Sequence, residues 1–96
     1  MTTEQALILL REAVPSLQAL GLTYLALVGS TARGQATPQS DVDVLVDFEG
    51  PGRFQRHLAI ADLLTAHLQC HVDVISRRAL KQRALDVMEN EAIRVA

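Results

Sequence analysis

The sequence predicts an α/β (α+β) domain, a small mixed β-sheet flanked by helices. Three observations carry that class. Asp41 to Phe48 alternates polar and apolar residues with period two, as a strand buried on one face does. Leu22 to Val28 is a nearly continuous apolar run that reads as a buried strand. Around these runs, apolar residues recur at three- and four-residue steps, as on helices laid against a sheet.

The elements follow in order. Ala6, Leu10, Ala13, Val14 and Leu17 form one face of a first helix, and Thr2 with Gln5 offers a capping box at its start. Pro15 removes an amide hydrogen bond, so a break or kink is expected there, with a short second turn ending at Gly21. The Leu22–Val28 strand stops at Gly29-Ser30. Thr31 to Arg33 reads as one helical turn ending at Gly34, and 35–40, with Pro38, as loop.

In the Asp41–Phe48 strand, Asp41, Asp43, Leu45 and Asp47 share one face, and Val42, Val44, Val46 and Phe48 the other. Gly50-Pro51-Gly52 is a turn. The helix after it is expected to turn Phe54, Leu58, Ala61, Leu64 and Leu68 inward. His71 to Ile75 reads as a third strand. Ser76 is expected to cap a last helix with Leu80, Ala84, Val87 and Met88 facing inward, and Ala92 to Val95 to form a short terminal strand.

Length and composition bound the rest. The 96 residues make one domain, 1–96, and a chain this short buries about 60–65% of its unfolded surface. Hydrophobic residues at 49% and charged residues at 21% fit a globular protein. Aromatics at 3%, with no Trp, argue against a stacking platform for single-stranded nucleic acid, and a net charge of −2 against direct nucleic-acid binding. The single Cys70 excludes an internal disulfide framework and a multi-cysteine zinc site, and suits a reducing cytoplasm. No apolar run is long enough to span a membrane, and the N-terminus does not read as a signal peptide.

One constellation carries chemistry. A strand ends in Gly29-Ser30, ten residues follow, Asp41-Val42-Asp43 opens the next strand, and Asp73 lies in the third. Such a pattern arises by chance in about one chain in a thousand of ordinary composition. Asp41 and Asp43 point to the same side of a strand, about 7 Å apart, and without a counter-charge would repel. A divalent cation removes that repulsion, and Mg²⁺ prefers a few carboxylates with waters and substrate phosphates. A third carboxylate, Asp73, allows two ions to clamp the attacking and leaving oxygens of a phosphoryl transfer. Gly29 lets the backbone approach a phosphate closely, the Ser30 hydroxyl adds a donor, and Arg33 one turn on offers its planar fork.

The bland readings are these. Asp47 and Glu49, further along the same face, read as solvated. The basic run Arg77, Arg78, Lys81 and Arg83 reads as a solvated face, or else as a contact to a triphosphate or an acidic partner. His57 and His67 read as surface residues. His71 shares a face with Asp73 and could assist it, Cys70 reads as a small buried residue, and Tyr24 as core or rim.

Gly29-Ser30-Thr31-Ala32-Arg33-Gly34, with Asp41-Val42-Asp43 ten residues after Ser30, resembles the signature of the DNA polymerase beta-like nucleotidyltransferase superfamily. The short chain and the His71-Val72-Asp73-Val74-Ile75 strand are most similar to its minimal nucleotidyltransferases, over about Leu17 to Val95. Val28 stands where members often carry Phe, a packing change only.

The resemblance implies the polymerase beta-like fold and transfer of AMP from Mg²⁺-ATP to a tyrosine hydroxyl of a HEPN-type toxin partner, which silences it. Asp41, Asp43 and Asp73 would ligand the metals, Asp73 also serving as base, and Gly29 and Ser30 would hold the triphosphate. Two other readings stay open: an antitoxin that masks its partner by binding alone, and transfer to a small molecule, as in aminoglycoside nucleotidyltransferases. A homodimer or a hetero-oligomer with the toxin is open as well.

Overall fold

Helix α1 (Thr3–Ala19) starts from a complete capping box: the Thr2 hydroxyl accepts from Gln5 N–H at 3.1 Å, and Thr2 N–H donates to the Gln5 side chain at 2.9 Å. The computed structural model describes residues 1–96. Strand β1 (Leu22–Val28) follows, then a single turn of helix, α2 (Gly29–Ala32), and β2 (Val42–Phe48). Helix α3 (Arg53–Leu68) leads to β3 (Val72–Ser76), a 3-10 turn at Arg77–Ala79, α4 (Gln82–Glu91) and the two-residue β4 (Ile93–Arg94).

The sheet order is β3-β2-β1-β4. Strand β1 runs antiparallel to β2 and β4, while β2 and β3 are parallel, so the sheet is mixed. Parallel neighbours need a crossover, and α3 supplies it. No helix is long and apolar enough to cross a membrane.

Alternation along the central strands divides the apolar residues between the two faces. Leu25 and Leu27 of β1, with Val42, Val44, Val46 and Phe48 of β2, pack with Leu10 and Leu17 of α1 and with Ile60 and Leu64 of α3. The opposite face is thinner. There Ala26, Val28 and Leu45 are covered by Leu80, Leu85, Met88 and Ala92, and α4 itself has no fully buried residue. Asp43 and Asp47 are on this second face with Leu45, as period two requires.

Several sequence expectations need correction. Helix α1 continues through Pro15 without a break. The carbonyl that Pro15 leaves without a donor belongs to Arg11, and both residues are exposed, so solvent can serve it while the buried Ala6–Leu10–Ala13–Leu17 stripe keeps its register. The helical turn after β1 begins at Gly29, two residues earlier than expected.

In α3 the inward stripe is Ile60, Leu64 and Leu68. Phe54 is 72% and Leu58 46% exposed. Leu64 and Leu68 are buried as expected, while in the first half of the helix docking against α1 and the sheet turns Ile60 inward in place of Phe54 and Leu58. Ser76 does not cap α4; the 3-10 turn intervenes and the helix starts at Gln82. That turns Leu85 and Met88 inward, and leaves Ala84 and Val87 facing solvent.

Candidate active site

Where β1 ends, the chain turns through Gly29 with φ of 75°, in the left-handed region that side chains disfavour. A Cβ at this position would land on Oδ2 of Asp43. Glycine therefore lets the turn lie directly against the carboxylate of the neighbouring strand. Within the turn, Arg33 N–H donates to Gly29 C=O at 3.1 Å, and the buried Thr31 accepts at its carbonyl from the Thr3 hydroxyl of α1. Gly29→Ala is expected to lower stability by about 1–2 kcal/mol from backbone strain alone, and to displace the Asp43 side chain. Chemical denaturation checks the first effect and nucleotide binding the second.

The three acidic positions converge through strand register. Asp43 lies opposite Asp73 across the parallel β2–β3 pair and opposite Val28 across β1–β2. Asp41 precedes β2, and Val42 N–H donates to His71 C=O at 3.2 Å, which ties the entries of β2 and β3 together. One ligand atom from each of Asp41, His71 and Asp73 lies within 4.8 Å of the others. His71 Nε2 is 2.8 Å from Asp73 Oδ1.

The electrostatics follow from this crowding. Burial first, then the Asp73 carboxylate and the charges of Asp41 and Glu91, push the Asp43 carboxyl above its ordinary range. The hydrogen bond to Asp73, then the Asp41 charge, push His71 upward, so it holds its proton more firmly. The donor set is carboxylate oxygen with one imidazole, and a hard divalent cation nearby would favour the charged form of the Asp43 carboxyl that burial and its acidic neighbours oppose. Asp41, His71 and Asp73 could hold a metal ion, and the carboxylate oxygens among them are donors of the kind Mg²⁺ takes.

The structure thus places Asp43 between Gly29 and Asp73 and groups Asp41 and Asp73 with His71, a residue outside the expected set of ligands, with Ser30 beside Gly29 in the turn. Arg33 flanks this turn but is engaged inside the chain: its Nη1 is 2.7 Å from Glu91 Oε2, and its Nε donates to the Gln35 side chain at 3.1 Å. Glu91 also accepts from Gly29 N–H at 2.9 Å. The Gly29 N–H, then Arg33, hold the Glu91 carboxyl below its ordinary range. Sequence reading missed Glu91. It lies 62 positions from Gly29, and no spacing rule connects them.

Two further readings change. Asp47 is not a solvated residue; it lies 3.7 Å from Arg77 Nη1 and 3.4 Å from Arg78 Nε. Arg77 also pairs with Glu89 at 2.7 Å and stacks over the Tyr24 ring at 4.2 Å. The first half of the basic run therefore fastens the 3-10 turn and α4 to the sheet, while Lys81 and Arg83 are exposed. His57 is half-buried, its ring edge-on to Phe48.

Comparison with known proteins adds an independent line. Residues 7–95 match the family described as nucleotidyltransferase domain. Over 75 residues the chain is 32% identical to a protein adenylyltransferase, MntA, of Thermococcus cleftensis, covering 78% of this chain and 76% of that one. A solved structure described as a minimal nucleotidyltransferase superposes with a TM-score of 0.82 at 38% identity, covering 97% of this chain and 95% of that one. A toxin–antitoxin crystal structure with AMP-PNP shares the fold at 18% identity, with a TM-score of 0.72 over 90% of this chain and 72% of that one.

Proposed function

This chain belongs to the nucleotidyltransferase domain family, and from that premise we propose that it transfers AMP from Mg²⁺-ATP to a tyrosine hydroxyl of a HEPN-type toxin, acting as its antitoxin. Residues 1–96 form the single nucleotidyltransferase domain in this reading, working in the cytoplasm. The observation that carries it is the meeting of the Gly29 turn with Asp41, Asp43 and Asp73 at adjoining strand ends. The similarity to a protein adenylyltransferase supports a protein acceptor.

In the proposed reaction the acceptor oxygen forms a bond to the α-phosphorus, and the bond to pyrophosphate breaks. Asp41, Asp43 and Asp73 would hold the metal. Mg²⁺, when bound, supplies charge neutralisation for the triphosphate and the departing pyrophosphate. Gly29 and Ser30, in the turn that Arg33 closes, hold the triphosphate. Asp73 takes the proton of the acceptor hydroxyl, and His71, hydrogen-bonded to it, fixes the orientation of its carboxylate. Because attack at phosphorus is mostly a matter of positioning and charge, a site this small suffices.

The test is intact-protein mass spectrometry of a co-purified HEPN-type partner after incubation with Mg²⁺ and ATP. Added AMP units that map to tyrosine are expected. An unchanged partner mass, under conditions where the chain binds nucleotide, would refute the adenylylation reading.

A further inference from the structure

A four-residue helix cannot hold its own shape. One turn has almost no internal hydrogen bonds to offset the ordering of its backbone, and Gly29 is the residue with most freedom to lose. Something outside α2 must fix the turn that faces Asp43. The structure has such a group in Glu91, at the end of α4.

Its carboxylate spans the turn. Oε1 accepts from the N–H of Gly29, the first residue of α2, at 2.9 Å, and Oε2 takes Arg33, the residue just past its end, at 2.7 Å. Glu91 is itself held from both sides. Ala92 N–H bonds back to Glu89 C=O at the close of α4, and Ile93 and Arg94 then pair with Leu27 and Ala26 of β1. The residue that grips the turn is thus anchored to the strand that leads into it. The side chain is only 23% exposed, and the lowered pKa of its carboxyl keeps it ionised.

We propose that Glu91 is a positioning residue for nucleotide transfer: its carboxylate clamps Gly29 N–H and the Arg33 guanidinium, and so holds the Gly29–Ser30 turn in the shape that receives the triphosphate. This rests on the reading of that turn as the triphosphate cradle. Arg33 then serves the nucleotide through the clamp. The terminal segment after β3 becomes part of the nucleotide site, although none of its residues is among the metal-holding carboxylates.

The test measures binding of Mg²⁺ and AMP-PNP by calorimetry, alongside the Gly29 amide resonance by NMR, in variants shown to be folded by circular dichroism. Glu91→Ala should weaken binding about tenfold, and the Gly29 amide should lose its protection from exchange. Glu91→Gln keeps an acceptor for the Gly29 N–H and should recover most of the loss. Glu89→Ala, in the same helix as Glu91, breaks the ion pair to Arg77 of the 3-10 turn and should leave affinity within about twofold of the parent.

Should Glu91→Ala not fold, Arg33→Ala decides, with an intermediate loss expected and unchanged binding overturning the proposal. Unchanged binding in Glu91→Ala would overturn the proposal. So would tighter binding, which would mean that the carboxylate competes with phosphate for the turn. If the unmodified chain binds no AMP-PNP, the cradle reading itself falls. Normal binding by the parent and equal binding by the variants would refute the clamp alone.

Discussion

Replacing Asp41 and Asp43 together by Ala should reduce Mg²⁺-dependent AMP transfer by at least about a thousandfold, to background, while the domain stays folded. Both halves follow from the position of the pair. Neither side chain belongs to the apolar core, so their loss opens no cavity there. Asp43 is partly buried beside Asp73 and within the field of Asp41 and Glu91, and its raised pKa registers that burial first and then the repulsion. Without metal, the double variant should therefore melt no lower than the parent. With Mg²⁺ added, the parent should gain thermal stability and the variant should not, because only the parent has the ligands that link binding to folding. Thermal unfolding with and without Mg²⁺, beside a transfer assay, reads all of this. Undiminished transfer by the folded variant would end the site assignment. Continued protection against a co-expressed toxin, with transfer abolished, would favour masking by contact.

Phe48→Ala should produce the largest loss of stability of any single truncation, about 3–5 kcal/mol. Phe48 is among the largest side chains fully buried in the chain, at the end of the central strand β2. Its ring carries the Arg53 guanidinium at 4.5 Å and the edge of His57, and its carbonyl accepts from Arg53 at 3.2 Å, so it also seats the start of α3. Proteins of this size have about 5–15 kcal/mol in total, so such a loss removes a large share of the stability. Urea denaturation followed by circular dichroism measures it. A loss below about 1 kcal/mol would mean that the ring is not closing the core.

How much of this was legible in the sequence depended on the range of the forces involved. Strand β2 could be read because period two is local: Val42, Val44, Val46 and Phe48 face one way whatever surrounds them. The capping box at Thr2 and the stop at Gly29 are local too. The convergence of Asp43 with Asp73 needed one more step, a crossover that makes β2 and β3 parallel neighbours, and the α3 pattern between them supplied it.

The failures lie where two local solutions were nearly equal or where partners are distant in sequence. Leu64 and Leu68 can be joined by helical spacing either to Phe54 and Leu58 or to Ile60, and only packing against α1 and the sheet chooses Ile60. The pairing of Asp47 with Arg77 and Arg78 depended on a 3-10 turn delaying α4, which changed the phase of that helix. Glu91 was invisible because a lone acid late in a polar helix looks like any solvated residue until the terminal segment folds back beside β1.

The edges of the sheet have a consequence for self-association. An exposed strand edge invites pairing with another chain, and a sheet of four strands has two such edges. At one, β4 is only two residues long and offers almost no template. At the other, β3 presents the exposed Asp73, with exposed His71 just before it. A second copy adding to that edge would bring its own acids against Asp73 and Asp43. The crowding that suits this corner to a cation thus also discourages edge-to-edge aggregation, and it would do so most strongly when no metal is bound.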